Sequence, residues 1–415
     1  MRKKIDVRQL RPGMYVDGWC GSWMEHPFWR TRFLVRDEAE LAEVRASGVA
    51  QCWIDTAKGC DAAAEPPHGA GVPTIAVPQP AADAAAAAPP PAPRVSLEEE
   101  LRRTAALLAE SRGAVMAMFG HARMGRALDT ERCLPLVEDI AASVARNGGA
   151  LISLARLKTH DDYTYMHSVA VCALMVALAR QLGLADGAVR EAGMAGLLHD
   201  LGKARMPLEV LNKPGKLSDT EFQLIKSHPE RGHELLRQSG QASAVVLDVC
   251  LHHHEKIDGS GYPHGLAGEA IDLAARMGAV CDVYDAITSN RPYKRGWDPA
   301  ESIARMAEWR RGHFDEKVFQ AFVKSLGIYP TGSLVRLRSG KLAVVVEQHA
   351  AALTTPVVKA FFSTRSQMHF PPETIDLARQ GCSDGIVGRE SNREWKFAHL
   401  DELWAGADVL RQAGR

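Results

Sequence analysis

The sequence predicts a mainly α-helical protein, in which a central all-α bundle lies between a small N-terminal β-containing domain and a short β-rich C-terminal extension. From Asp129 to about Gly327 apolar residues recur with helical spacing, and almost no alternating pattern interrupts them. Before residue 61 the apolar runs are short and separated by turn formers, and after Gly332 the apolar period changes to two. A chain of 415 residues has room for two or three compact domains.

Composition excludes several classes of function. Basic and acidic residues number 50 each, so no overall field attracts a nucleic acid polymer or an anionic membrane. The longest nearly apolar stretch, 169–179, is much shorter than the roughly 20 residues of a membrane-spanning helix. The basic residues at 2–4 precede Ile5-Asp6-Val7-Arg8-Gln9 rather than the apolar run of a signal peptide. We therefore expect a cytoplasmic protein whose eight scattered cysteines are reduced and structural.

Residues 1–60 are predicted to form a small α/β or β domain. Short apolar runs such as Phe33-Leu34-Val35 and Cys52-Trp53-Ile54 accompany the turn signal Arg11-Pro12-Gly13. Residues 61–94 are rich in alanine and proline. The prolines break helices and the small side chains cannot build a core, so this segment is predicted to be a linker.

Connecting helices are predicted over 95–150 and a further helical domain over 151–327. Ser96 and Glu99 have the spacing of a capping box, which marks the start of a long helix. Residues 328–415 are predicted to form the small β-rich extension. There, the alternating run 334–338 and the apolar run 342–346 flank Ser339-Gly340, which is typical of a hairpin.

The strongest chemical signal is His199-Asp200-Leu201-Gly202-Lys203, at the predicted end of a helix. An imidazole beside a carboxylate supplies a nitrogen and an oxygen ligand, so one turn can hold a divalent metal or bridge two metals. If the helix continues, Lys203 lies on nearly the same side as Asp200 and can reach a phosphate oxygen near the metal. Taken alone, the pentapeptide also fits a histidine and an aspartate that cap a helix at the surface.

Further candidate ligands come from other helical segments, as is usual for metal sites inside helix bundles. They are His167, His228, His252, His253, His254 and Asp282. A single histidine at any of these positions is more often an ordinary core or surface residue, whereas their conjunction indicates a metal site.

Consecutive histidines favour two metals over one. Neighbouring side chains on a helix diverge by about 100°, so a His-His pair suits two adjacent ions better than one. Two ions roughly 4 Å apart can hold a bridging hydroxide as nucleophile and stabilise the entering and leaving oxygens of a phosphodiester.

These motifs resemble the HD-GYP phosphodiesterases, a branch of the HD-domain metal phosphohydrolases, over roughly residues 150–327. The matching segments are YTxxHS at 163–168, HDLGK at 199–203, His228-Pro229, HHExxDGSGYP at 253–263 and DVYDAITSNRPYK at 282–294. The resemblance implies an HD-type helical bundle. The N-terminal region, from Lys3 through Val16, similarly resembles an uncharacterised domain that is often fused ahead of HD-GYP domains.

The resemblance implies which residues carry the chemistry. The implied metal ligands are His167, His199, Asp200, His228, His253, His254 and Asp282, with Asp200 and Lys203 as catalytic residues. His252 falls outside the family's His-His-Glu register and is not expected to be a ligand. Some members hold a third metal through a glutamate where this chain has Tyr163, so two ions are expected. Iron or manganese is implied, and the ligand set is also compatible with zinc, nickel or magnesium.

The resemblance also implies substrate and partner contacts. Arg291, Tyr293 and Lys294 correspond to a nucleotide-contacting segment, although a solvated basic turn would explain them too. Gly261, Tyr262 and Pro263 form the GYP loop, in which Tyr262 either packs against the site or stays exposed to a partner. The implied partners are cyclic di-GMP and diguanylate cyclase (GGDEF) proteins at the GYP loop. A homodimer is expected for a different reason, because long helices such as the one that begins near Ser96 often support dimerisation.

The implied reaction is hydrolysis of cyclic di-GMP to pGpG and/or GMP by a hydroxide that two metals activate. Two alternatives stay open. One is an HD-domain hydrolase that acts on another nucleotide, and the other is a non-catalytic cyclic di-GMP receptor.

Overall fold

The computed structural model divides the chain into two compact units, 1–92 and 93–415. The structure describes residues 2–19, 33–38, 41, 45, 51–60, 95–126, 129–157, 163–213, 215–290, 296–349 and 352–413. Within these residues, no helix combines the length and apolar character that crossing a bilayer requires.

The N-terminal unit contains a four-stranded antiparallel sheet of order β1-β4-β2-β3. Its strands are β1 (Arg2–Asp6), β2 (Tyr15–Trp19), β3 (Phe33–Leu34) and β4 (Gln51–Asp55). In β4, Cys52 and Ile54 are fully buried while Gln51 and Trp53 are exposed, the alternation that gives a sheet one apolar face. The buried residues join Leu10, Met14 and Val16 in a small core.

The second unit is a bundle of helices followed by a sheet. The helices are α1 (Leu97–Arg123), α2 (Leu134–Ala155), α3 (Tyr163–Gln181), α4 (Asp186–Leu198), α5 (Leu208–Leu211), α6 (Asp219–Lys226), α7 (His228–Ser239), α8 (Ala244–His252), α9 (Leu273–Thr288), α10 (Pro299–His313) and α11 (Glu316–Leu326). Helix α3 is at the centre, because every residue from 169 to 179 is buried. Cys172, Cys250 and Cys281 are buried free thiols, as predicted.

The start of α1 corrects one detail of the prediction. The Ser96 side chain accepts a hydrogen bond from the Glu99 backbone N–H, as an N-cap should. The Glu99 carboxylate instead pairs with Arg103, one turn further along the helix. The cap is therefore one-sided, because the exposed carboxylate binds a guanidinium on its own helix. Helix α2 contains the predicted domain boundary at residue 150 and has a kink at Asn147.

The C-terminal sheet confirms the predicted hairpin. Strands β5 (Leu334–Leu337) and β6 (Lys341–Glu347) pair antiparallel around Gly340, whose φ of 83° is in the left-handed region that favours glycine. The sheet continues with β7 (Val357–Ser363), β8 (Met368–Asp376) and β9 (Ile386–Arg389) in the order β8-β7-β6-β5-β9, and three short helices follow, α12 (Asn392–Trp395), α13 (Leu400–Ala405) and α14 (Ala407–Gln412). The mainly α fold with a small sheet at each end is thus confirmed.

Candidate metal centre

The predicted ligands meet in the interior of the helical bundle. His167 comes from α3, His199 and Asp200 follow α4, His228 begins α7, His253 and His254 follow α8, and Asp282 lies on α9. His254 is half-buried and the other six are buried. Helices distant in sequence therefore deliver imidazoles and carboxylates to one place.

Asp200 lies between two groups of histidines. Its Oδ2 is 3.3 Å from His167 Nε2 and 3.4 Å from His199 Nε2. Its Oδ1 is 3.1 Å from His228 Nε2 and 3.8 Å from His253 Nε2. The two oxygens of one carboxylate thus face different imidazole pairs.

Asp282 lies beside the His167 and His199 pair, and His254 lies beside the His228 and His253 pair. Asp282 Oδ1 lies 3.0 Å from His167 Nε2 and 3.8 Å from His199 Nε2. The ring centroids of His253 and His254 are 4.1 Å apart. Ligand atoms of His228, His253 and His254 lie within 4.8 Å of one another, as do those of His167, His199 and Asp282.

Backbone carbonyls set the orientation of three histidines. Nδ1 lies 2.8 Å from the Gly196 carbonyl in His199 and 2.7 Å from the Ile225 carbonyl in His228. In His253 it lies 3.0 Å from the carbonyl of Val249. Because a carbonyl only accepts, each Nδ1 carries the proton and each Nε2 turns a lone pair toward the cluster.

Lys203 reaches Asp200 through a change in helix type. Helix α4 ends at Leu198, and a 3-10 helix occupies Leu201–Arg205. With three residues per turn, positions three apart are superimposed, so Lys203 lies over Asp200 and its ammonium contacts Oδ2. The α-helix does not continue as supposed, but the predicted proximity is present.

The cluster has the donors and the charge that cations require. Among the described residues, the buried atoms His199 Nε2 and Asp200 Oδ1 have no hydrogen-bond partner. Although burial opposes ionisation, Lys203 and His199 hold the pKa of Asp200 well below its usual value. Burial lowers the pKa of His254 to about 3. Ionised carboxylates and neutral imidazoles are the metal-binding forms of these groups, so the residues fit divalent metals.

Two further residues support the site, and the sequence interpretation gave them no role. Asp285 Oδ2 is 2.6 Å from His167 Nδ1. The buried Glu255 carboxylate accepts hydrogen bonds from the backbone N–H groups of His264, at 2.7 Å, and Leu266, at 3.1 Å. The sequence features that could have identified them are the position of Asp285 one turn after Asp282 and that of Glu255 directly after the histidine pair.

The GYP loop lies against the cluster. A Cβ at Gly261 would be 2.4 Å from the backbone nitrogen of Lys256, so only glycine fits this close approach. The Tyr262 ring stacks on His254 at 4.7 Å, and Lys226 Nζ lies 5.1 Å from the Tyr262 ring centroid. The Tyr262–Pro263 peptide bond is cis. Of the two roles considered for Tyr262, packing against the site is the one present.

The remaining positions named from the sequence are His252 and the predicted nucleotide-contacting segment. His252 turns away from the cluster, with Nδ1 2.7 Å from Asp248 Oδ1. Arg291, Tyr293 and Lys294 lie outside the described residues.

A helical bundle that gathers histidines and aspartates in this way defines a metal-dependent phosphohydrolase of the HD class. A family model for HD domains matches residues 136–318, and a model for a domain of unknown function matches residues 2–133. Over 408 residues the chain is 57% identical to a cyclic di-GMP phosphodiesterase of Pseudomonas aeruginosa, covering 98% of this chain and 96% of that protein. The chain belongs to the HD-GYP phosphodiesterase family, with the uncharacterised N-terminal domain that the sequence indicated.

Two further relatives match shorter stretches of the chain. A cyclic di-GMP phosphodiesterase response regulator of Xanthomonas campestris is 40% identical over 200 residues, which are 47% of this chain and 53% of that protein. A 3'3'-cGAMP-specific phosphodiesterase of Vibrio cholerae is 39% identical over 166 residues, which are 40% of this chain and 38% of that protein. Related chains therefore carry the names of two different cyclic dinucleotide substrates.

Proposed function

We propose that this enzyme hydrolyses cyclic di-GMP to pGpG and/or GMP. The observation that carries the proposal is the position of Asp200, whose two oxygens face separate imidazole pairs in a buried cluster. The substrate follows from the relative that is 57% identical over nearly the whole chain and is named a cyclic di-GMP phosphodiesterase.

The proposal assigns two divalent ions, iron or manganese, to seven ligands. They are His167, His199, Asp200, His228, His253, His254 and Asp282. Ions held there would supply Lewis-acid charge to a phosphodiester and lower the pKa of a water molecule. Buried imidazoles and carboxylates give the mixed nitrogen and oxygen donor set that these metals accept.

Lys203 and the GYP loop complete the proposed active site. The Lys203 ammonium lies at the edge of the cluster with 24% of its side chain exposed, so it can contact a phosphate oxygen while Asp200 holds it in place. A positioned cation stabilises the negative charge that develops on phosphate oxygens during attack. Tyr262 covers His254 and limits water access on that side.

Other contacts belong to the same proposal. Arg291, Tyr293 and Lys294 bind the phosphates or guanine acceptors of the substrate. Diguanylate cyclases contact the loop Gly261–Pro263, two chains associate as a homodimer, and the N-terminal domain regulates activity. The homodimer is inferred from the long helix α1, and the other assignments derive from the family resemblance.

A substrate panel tests the proposal. Metal-loaded enzyme is incubated with cyclic di-GMP, pGpG, 3'3'-cGAMP and GTP, and products are separated by chromatography over time. We expect cyclic di-GMP to be hydrolysed with the highest kcat/KM. Faster cleavage of 3'3'-cGAMP would support the specificity of the Vibrio relative. Tight binding of cyclic di-GMP by metal-replete protein without product would instead indicate a receptor.

A further inference from the structure

A second pair of histidines lies outside the metal cluster. His252 is the last residue of α8, and His264 follows the GYP loop. The Nε2 atom of His252 lies 3.1 Å from Nδ1 of His264, and the two ring centroids are 5.3 Å apart. His264 is exposed, so the pair is accessible from solvent.

The contact with Asp248 determines which ring nitrogen of His252 carries the proton. It precedes His252 by one turn of α8, and its Oδ1 lies 2.7 Å from His252 Nδ1. Because the carboxylate accepts the Nδ1–H, the lone pair of His252 is on Nε2 and faces His264. A carboxylate behind an imidazole is the arrangement that orients histidine ligands in metal sites.

The separation of the two nitrogens matches a shared cation. Two imidazole nitrogens on one tetrahedral Zn²⁺, each at a bond length of about 2.05 Å, would be about 3.3 Å apart. The observed 3.1 Å is close to that value. The second oxygen of Asp248, Oδ2, is buried without a hydrogen-bond partner among the described residues, which leaves the carboxylate charge available to the His252 imidazole.

A third imidazole lies in the same region. Burial and the charges of Arg237, His252 and His264 lower the pKa of His233, on α7. The lowered pKa favours the neutral imidazole, which is the form of histidine that binds metals.

We propose that His252 and His264, supported by Asp248, bind one Zn²⁺ ion at a site separate from the catalytic cluster. The ion would connect the end of α8 to the segment that follows the GYP loop. Since Tyr262 lies in that loop and covers His254, Zn²⁺ would hold the loop closed over the cluster. Binding of Zn²⁺ at this pair requires neither a bound substrate nor catalysis at the cluster.

Metal counting tests this site. Full-length, metal-loaded protein is dialysed against buffered Zn²⁺, and total bound metal is measured by elemental analysis. We expect wild-type protein to hold one more equivalent of divalent metal than His264→Ala or His252→Ala. Asp248→Asn should weaken the Zn²⁺ affinity by roughly 10- to 100-fold.

The matched control is His349→Ala. His349 Nε2 lies 2.9 Å from Asp376 Oδ1 in the C-terminal sheet, a similar carboxylate–imidazole pair. This substitution should leave the metal count unchanged. Amide exchange of residues 261–266 should slow on Zn²⁺ addition in wild-type protein but not in His264→Ala.

Equal metal counts in wild-type protein and the His264 and His252 variants would overturn the proposal, since the pair would then be only a hydrogen bond. A loss of iron or manganese in those variants would overturn it too, because the catalytic cluster would then be the site disturbed. Neither result depends on whether cyclic di-GMP is the substrate, so the two proposals fail separately.

Discussion

Asp285 Oδ2 lies 2.6 Å from His167 Nδ1, on the side of the ring opposite Asp200 and Asp282. The two residues are 118 positions apart and come from α9 and α3. Metal-bound histidines usually donate their other ring N–H to a carboxylate, which fixes the ring and strengthens the ligand. We infer that Asp285 orients His167 toward the cluster.

Replacing Asp285 by Asn should therefore weaken metal binding. We expect roughly a 10- to 100-fold lower affinity, measured by competition with a chelator, and recovery of kcat when metal is in excess. Asp376→Asn removes a carboxylate that also pairs with a histidine, outside the bundle, and should have no effect. An unchanged affinity in Asp285→Asn would show that the contact does not orient the ligand.

Lys203 is expected to act on the reaction rather than on the fold. Lys203→Met should lower kcat by roughly 10²- to 10³-fold, because one positioned charge is lost from the transition state. Arg205→Met is the control, since Arg205 ends the same 3-10 helix but is exposed. Steady-state kinetics at saturating metal distinguish the two variants. Equal kcat values for both would remove Lys203 from the catalytic residues.

The metal-free protein should lose stability as the pH rises. Burial disfavours charge on His167, but hydrogen bonds to Asp200, Asp282 and Asp285 prevail and raise its pKa to about 10. This folded-state pKa exceeds the unfolded value of about 6.5, so the stabilisation is complete below pH 6.5 and is lost as the pH rises through 10.

Denaturant unfolding can measure this dependence. Between pH 6.5 and 8.5, the free energy of unfolding of metal-free protein should fall by roughly 1.4 kcal/mol per pH unit for one retained proton. Metal-loaded protein should not show this slope, because a cation replaces the proton. A flat profile without metal would contradict the raised pKa of His167.

Gly202 should tolerate no side chain. A Cβ at this position would be 1.8 Å from the His228 carbonyl oxygen and 2.6 Å from the Gly232 nitrogen. Gly202→Ala must therefore displace the start of α7, and we expect a loss of at least about 2 kcal/mol in the free energy of unfolding. Gly120→Ala, where nothing lies within 4 Å, should stabilise the protein by up to about 1 kcal/mol. Thermal and denaturant unfolding compare the two, and a neutral Gly202→Ala would contradict the close contact.

The residues that meet are those that the sequence named, because its motifs resemble the HD-GYP family and the candidates lie on separate helical segments. It did not predict how they meet. The superposition of Lys203 on Asp200 depends on a 3-10 helix, whose three-residue period is absent from a pattern based on 3.6 residues per turn. His253 likewise follows the end of α8, so the geometry of the His-His pair is that of a helix end rather than of a regular helix.

Supporting residues were harder to predict. Asp285 follows Asp282 by one turn, but a carboxylate at that spacing can equally face solvent, and only tertiary packing places it behind His167. Glu255 is buried because a loop folds back and supplies two backbone N–H groups, and no local pattern encodes that return. Contacts that reach beyond one helical turn decide both cases, with His167 118 positions from Asp285 and His264 nine positions from Glu255.

The most direct test is the rate of cyclic di-GMP hydrolysis by Asp200→Ala in metal-replete, folded protein. Removing the carboxylate between the two imidazole groups withdraws several kcal/mol of charge stabilisation, so we expect turnover to fall by on the order of 10³-fold or more while circular dichroism stays helical. Hydrolysis by this variant at the wild-type rate, with unchanged fold and metal content, would contradict a reaction that takes place at the His/Asp cluster.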